Sequence, residues 1–156
     1  MKCRLIAAGT RLPDWIAAGF HDYQKRLKKP ISIELLEIPI ATRAPGSSAA
    51  QAVDKEGRAM LAALAQDDHV VALEVTGRPM STEELAAWLK ARMREGGDVA
   101  FLIGGPDGLS AACRQRAASS WSLSPLTFPH ALVRVILAEQ LYRAASLIAG
   151  HPYHRA

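Results

Sequence analysis

The chain has 156 residues, 49% of them hydrophobic and 22% charged, with a formal net charge of +4. That is one ordinary domain; the composition excludes a disordered or fibrous chain, and the length supports a core without disulfides or a structural metal. Charge is uneven: residues 1–109 carry 14 Lys and Arg against 14 Asp and Glu, while residues 110–156 carry five arginines against Glu139 alone, plus three of the five histidines. An anionic partner is therefore expected at the C-terminal third. Two cysteines, Cys3 and Cys113, make no disulfide framework and suit a reducing compartment. The apolar stretch after Arg4 is short for a signal peptide. The longest run without Lys, Arg, Asp or Glu, residues 117–133, holds prolines, hydroxyls and a histidine that a membrane span would not. The expectation is a soluble, cytoplasmic chain.

Residues 4–8 (RLIAA) read as a first strand, and 14–27 as a helix with Trp15, Ala18, Tyr23 and Leu27 near one face. In 31–38, Ile31, Ile33 and Leu35 alternate as in a half-buried strand. A loop over 42–48, rich in Pro, Gly and Ser, leads into a helix over 49–65 with Val53, Met60, Leu61 and Leu64 as its apolar positions. Residues 70–75 (VVALEV) have the pattern of a central strand covered on both faces, and 76–79 are expected to turn the chain. Ser81 and Glu84 form a capping box for a helix that runs to about Arg94 and stops at Gly96-Gly97. A buried strand at 99–103 (VAFLI) ends in Gly104-Gly105-Pro106-Asp107-Gly108. A short helix at 109–118, a short strand at 120–124 and a long helix at 131–149, with Pro129 at its start, complete the chain. This alternation predicts a single α/β domain with a mainly parallel sheet. The last helix is apolar on more than one face and requires cover on both sides, from its own chain or a second copy.

Chemistry-bearing motifs are few. The first strand ends at a lone Gly9, without a dinucleotide fingerprint, and no phosphate loop is present. Gly104–Gly108 lies where open parallel sheets bind ligands, so its backbone either approaches a ligand or simply turns into the next helix. Gly105–Gly108 formally matches the GXXG loop of KH domains, but it follows a strand and carries an acid. His151 and His154 have no further ligands at metal-site spacing, so no metal is expected. The cysteines read as buried structural thiols, and Glu139 with Arg143 as a helix-surface ion pair. What remains is the uncharged stretch 121–130 (WSLSPLTFPH), a loop that suits a neutral adenine ring. Beside it stand His130, Arg134, Tyr153, His154 and Arg155, able to hold phosphates and stack on an unpaired base.

Four segments, FLIGGPDG (101–108), LTFPHALVR (126–134), EQLYR (139–143) and HPYHR (151–155), resemble the ribosomal large-subunit pseudouridine methyltransferase H family of SPOUT methyltransferases. Gly9-Thr10, Pro13-Asp14-Trp15 and Asp54-Lys-Glu-Gly57 extend the resemblance from end to end. It implies a trefoil-knotted α/β domain over 1–156 and an obligate homodimer. It further implies methyl transfer from S-adenosylmethionine to N3 of a pseudouridine in a 23S rRNA hairpin loop on the assembled 70S ribosome. By position, Leu73, Gly104, Gly105, Leu123, Ser124, Pro125, Leu126, Thr127 and Phe128 would hold the cofactor. Tyr153, His154 and Arg155 would meet rRNA, and His130, Arg134 and His154 would act at the acceptor. Loss of the imide proton points to His130 or a tail histidine as base, and a nearby arginine favours the deprotonated form. A non-catalytic RNA-binding domain of the same fold and a tRNA methyltransferase are the competing expectations.

Overall fold

The computed structural model describes residues 1–155, with side chains as far as Tyr153. Five parallel strands, β1 (Lys2–Ala8), β2 (Ser32–Ile38), β3 (His69–Pro79), β4 (Val99–Ile103) and β5 (Ser119–Ser122), form one sheet in the order β2-β1-β4-β3-β5. The helices are α1 (Asp14–Arg26), α2 (Ala49–Ala62), α3 (Thr82–Glu95), α4 (Ala111–Arg116) and α5 (His130–Ile148), followed by a 3-10 turn over Pro152–Arg155. Alternation along β1 divides the core. Cys3, Leu5 and Ala7 join the cluster built with Phe20, Leu89, Leu137 and Leu141, while Ile6 and Ala8 join Met60, Leu109 and Cys113 on the other face. The expected single α/β domain with a parallel sheet is what forms, and none of its helices is long and apolar enough to cross a membrane.

Several elements differ in detail from the sequence expectation. Helix α1 buries Ile16 and Phe20, spaced one turn apart, so Trp15 is turned off the core face and is 66% exposed. Strand β3 does not turn after Val75. After an irregularity it pairs again with β5 at Arg78 and Pro79, because Gly77 lets its backbone close on Trp121: a Cβ there would lie 2.5 Å from the Trp121 carbonyl carbon. Trp121 itself is buried, with its ring 4.5 Å from Trp88 in an edge arrangement. The Ser81–Glu84 capping box is present, and Gly96, at φ +81°, ends α3. From His130 to Ile148 no residue of α5 is exposed, because α1, α3, β1, β4 and the terminal turn all pack on it.

Helix α2 shows the largest departure. It buries Ala52, Glu56, Gly57 and Met60, whereas Val53, Leu61 and Leu64 stay half-buried. The reason is the close approach of α4, whose N-cap Ser110 sits against the α2 backbone. A Cβ on Gly57 would fall 2.1 Å from Ser110 Oγ, which itself accepts from the Cys113 N–H. Gly57→Ala is therefore expected to destabilise the domain by about 1–3 kcal/mol through overpacking. The check is a fall of roughly 2–4 °C in Tm for each kcal/mol lost.

Candidate active site

At the carboxyl ends of β4 and β5, beside the middle of β3, the sheet opens into a cleft of about 490 Å3. Its walls are largely apolar, with Leu73, Ile103, Leu109, Leu123, Phe128 and Val133 around a few small polar groups. Of the residues expected at a cofactor, Leu73, Gly104, Gly105, Leu123, Ser124, Leu126, Thr127 and Phe128 all line it. Pro125 does not line it and is exposed. Local hydrogen bonds shape this loop: Ser122 Oγ donates to the Ser124 carbonyl at 2.9 Å, and the Leu126 N–H donates to Ser124 Oγ at 3.0 Å. Leu126, 71% exposed, forms the lip.

Gly104 is required by backbone packing. A Cβ on Gly104 would lie 2.5 Å from the Gly108 carbonyl carbon, so only glycine permits the loop to double back at the cleft floor. A Cβ on Gly105 would meet Ala8 Cβ at 3.3 Å and Glu56 Oε2 at 3.5 Å. Glu74, an acid in the wall that the sequence did not single out, is held by the Arg114 guanidinium at 2.5 Å and by Ser120 Oγ at 3.3 Å.

His130, the first residue of α5, stands at the rim, its Nε2 3.3 Å from where a Cβ on Gly9 would be. Burial, then the Arg134 charge, holds its pKa below the ordinary 6.5, against an upward pull from Glu56. The imidazole is therefore neutral near pH 7 and free to accept a proton. Arg134 was expected beside the acceptor, but it is wholly buried. Its Nη2 donates to the Ala8 and Gly9 carbonyls at 2.7 and 2.8 Å, and Nη1 to Glu37 Oε2 at 3.2 Å. It braces β1 against α5, while its buried Nε–H has no hydrogen-bond partner among the described residues.

Tyr153, expected to stack on a base, packs on α5 with its ring 4.6 Å from Tyr142 and 5.0 Å from the Arg143 guanidinium. Burial, followed by the contact with Tyr23, pushes its hydroxyl up to about 12. The expected Glu139–Arg143 pair forms at 2.8 Å. The side chains of His154 and Arg155 lie outside the described residues. Both cysteines are buried, and burial raises both thiols, Cys3 to about 12. Among the described residues no group of three or more His, Cys, Asp or Glu is placed to hold a metal ion.

One cluster escaped the sequence reading. Glu56, only 3% exposed, accepts from the Ala41 N–H at 2.9 Å and from Arg43 Nη1. Arg43 also donates to Asp107 at 2.9 Å, which ties the loop before α2 to the glycine loop. Helical periodicity gives no signal for a buried acid. Only the Asp54-Lys-Glu-Gly57 stretch of the family resemblance drew attention to it.

A family model described as "Predicted SPOUT methyltransferase" matches residues 1–154. The chain belongs to that family. It is 56% identical over 156 residues, all of both chains, to ribosomal RNA large subunit methyltransferase H of Xanthomonas campestris pv. campestris strain B100. The protein of the same name from Xanthomonas axonopodis pv. citri strain 306 is 55% identical over the same full length. In fold, the chain is similar to the crystal structure of a probable methyltransferase from Bordetella pertussis Tohama I. That likeness has a TM-score of 0.58 at 20% identity, covering 91% of this chain and 95% of that one.

For this SPOUT methyltransferase, Arg134→Met is expected to lower stability by at least about 1.5–3 kcal/mol, the scale of hydrogen bonds to a charged group. The denaturation midpoint measures it. An unchanged midpoint would show that the arginine does not brace the strand.

Proposed function

We propose that this SPOUT methyltransferase uses S-adenosylmethionine to methylate N3 of a pseudouridine in a 23S rRNA hairpin loop on the assembled 70S ribosome. The observation that carries the reading is the cleft itself: apolar walls, an uncharged loop and a neutral imidazole at its rim, at the carboxyl end of the sheet. Full-length identity of 56% to a protein named ribosomal RNA large subunit methyltransferase H supports the acceptor class. The cleft volume suits a cofactor of this size, and its apolar faces with Ser124 and Thr127 suit an adenine ring. Leu73, Gly104, Gly105 and the loop 123–128, without Pro125, would hold it.

When bound, the cofactor supplies an electrophilic methyl on a sulfonium whose departure as a neutral thioether needs no acid. The chain's own contribution is to orient the acceptor in line with that methyl and to exclude water. His130, kept neutral, takes the imide proton. Arg134 serves through His130 and Gly9 by fixing where α5 begins. The rRNA contact falls to the tail, His151–Ala156, which includes Tyr153, His154 and Arg155. The trefoil threading and the homodimer belong to the same reading. Leu132 and Ile136, half-buried yet outside the core cluster, give α5 an apolar strip for a second copy to cover.

Labelled S-adenosylmethionine incubated with 70S ribosomes, isolated subunits and tRNA tests the acceptor. Label is expected in 23S rRNA of 70S particles. Label in tRNA, or in no RNA, overturns the reading. The pH profile tests the base. A base must be unprotonated to act, so a pKa below 6.5 keeps more than half of the plateau kcat/KM at pH 6.5, with activity lost as pH falls further.

A further inference from the structure

Among the described residues, Glu74 is the one carboxylate that lines the cleft, and no lysine or arginine lines it. It follows Leu73 on β3, which pairs with Ile103 of β4 on one side and Trp121 of β5 on the other. Glu74 thus stands between the glycine loop beyond β4 and the 123–128 loop beyond β5. A ligand that reaches from one loop to the other has to pass it.

Its side chain is 17% exposed, and it is held without being used up. Oε1 accepts from Arg114 Nε at 2.5 Å, and Oε2 from Ser120 Oγ at 3.3 Å, long for a hydroxyl donor. An ionised carboxyl group offers about four acceptor positions, so others stay open. The pairing also decides which donors suit them. A cation brought to Glu74 would meet the guanidinium already there and be repelled, whereas neutral hydroxyls find a fixed, charged acceptor. Elsewhere in the wall side-chain acceptors are scarce: Ser124 Oγ already receives the Leu126 N–H, and most of the other side chains are apolar. A nucleoside brings two adjacent hydroxyls, and each costs free energy if it is shut away from water unpaired. In dinucleotide-binding folds an acid beside the sheet meets that need.

We infer that Glu74 recognises the ribose of the nucleoside held in the cleft, accepting from its 2′- and 3′-hydroxyls at the carboxylate positions that Arg114 and Ser120 leave open. The inference rests on the cleft being the S-adenosylmethionine site, and it makes Glu74 the residue that demands a ribonucleoside. Arg114 and Ser120 are positioning residues. They fix the carboxylate before the ligand arrives and so spare the entropy of ordering it on binding.

The probes are S-adenosylmethionine, 5′-methylthioadenosine and the 2′-deoxy and 3′-deoxy forms of methylthioadenosine. Methylthioadenosine keeps the ribose but lacks the amino-acid end and the charge. Affinities are measured by calorimetric titration of the full chain. The unaltered protein should bind methylthioadenosine about tenfold more tightly than at least one deoxy form. In Glu74→Gln that preference should shrink toward one, with S-adenosylmethionine and methylthioadenosine both weakened and the deoxy form little changed. A carboxylate that only braced α4 against β3 would weaken ribose and deoxy ligands alike, and an unchanged ratio overturns the inference. A loss confined to S-adenosylmethionine would assign Glu74 to the ammonium end and overturns it too. Should Glu74→Gln fail to fold, Glu74→Asp, which keeps the charge and withdraws it by one methylene, takes its place under the same criterion. If the unaltered protein binds no S-adenosylmethionine, the cofactor reading itself fails, an outcome distinct from binding without a ribose preference.

Discussion

One buried guanidinium ties the two ends of the sequence together. Arg134, in the last helix, binds the carbonyls of Ala8 and Gly9, 126 and 125 residues away, and reaches Glu37 on the neighbouring strand. A strand end inside a covered sheet has carbonyls that need donors, and the rigid fork of an arginine supplies two to adjacent peptides. Burying that charge is offset by acceptors at both Nη atoms and by the anionic Glu37, although Nε has no partner among the described residues and burial lowers the pKa. The consequence for the site is positional. His130 lies one turn earlier on the same helix face, so fixing Arg134 fixes the imidazole over Gly9.

The cleft works by approach and exclusion rather than by an array of acids. Three backbone crossings, Gly57 on Ser110, Gly77 on Trp121 and Gly104 on Gly108, bring α4, β5 and the glycine loop closer than any side chain would allow. The one acid in its wall, Glu74, is engaged by Arg114 and Ser120 and adds no unpaired charge to the interior. Such largely apolar walls suit the proposed methyl transfer, which depends on alignment of donor and acceptor.

Electrostatics enter from the two sides of the sheet. Arg134 and burial keep His130 neutral, while Glu56, Arg43 and Asp107 join the loop before α2 to the glycine loop on the other side. The tail reinforces α5 through Tyr153, which covers Tyr142 and meets Glu139 at 3.5 Å.

Periodicity and turn chemistry by themselves determined much of this protein. The fully buried strand VAFLI, the strand character of VVALEV and the Ser81–Glu84 capping box follow from local rules, because those rules depend only on neighbours in the chain; Val75, exposed at the end of VVALEV, does not. Segment resemblance pointed to the family, and all but Pro125 of the residues it assigned to a cofactor line the cleft. Tertiary structure alone decided that Arg134 braces a strand, that Trp15 faces outward, that 76–79 extends β3 and that Glu56 is buried. Each of those outcomes turns on a partner far away in sequence. The side a charged residue faces depends on which carbonyls, glycines and cations the sheet order brings to it, and no local pattern records that order.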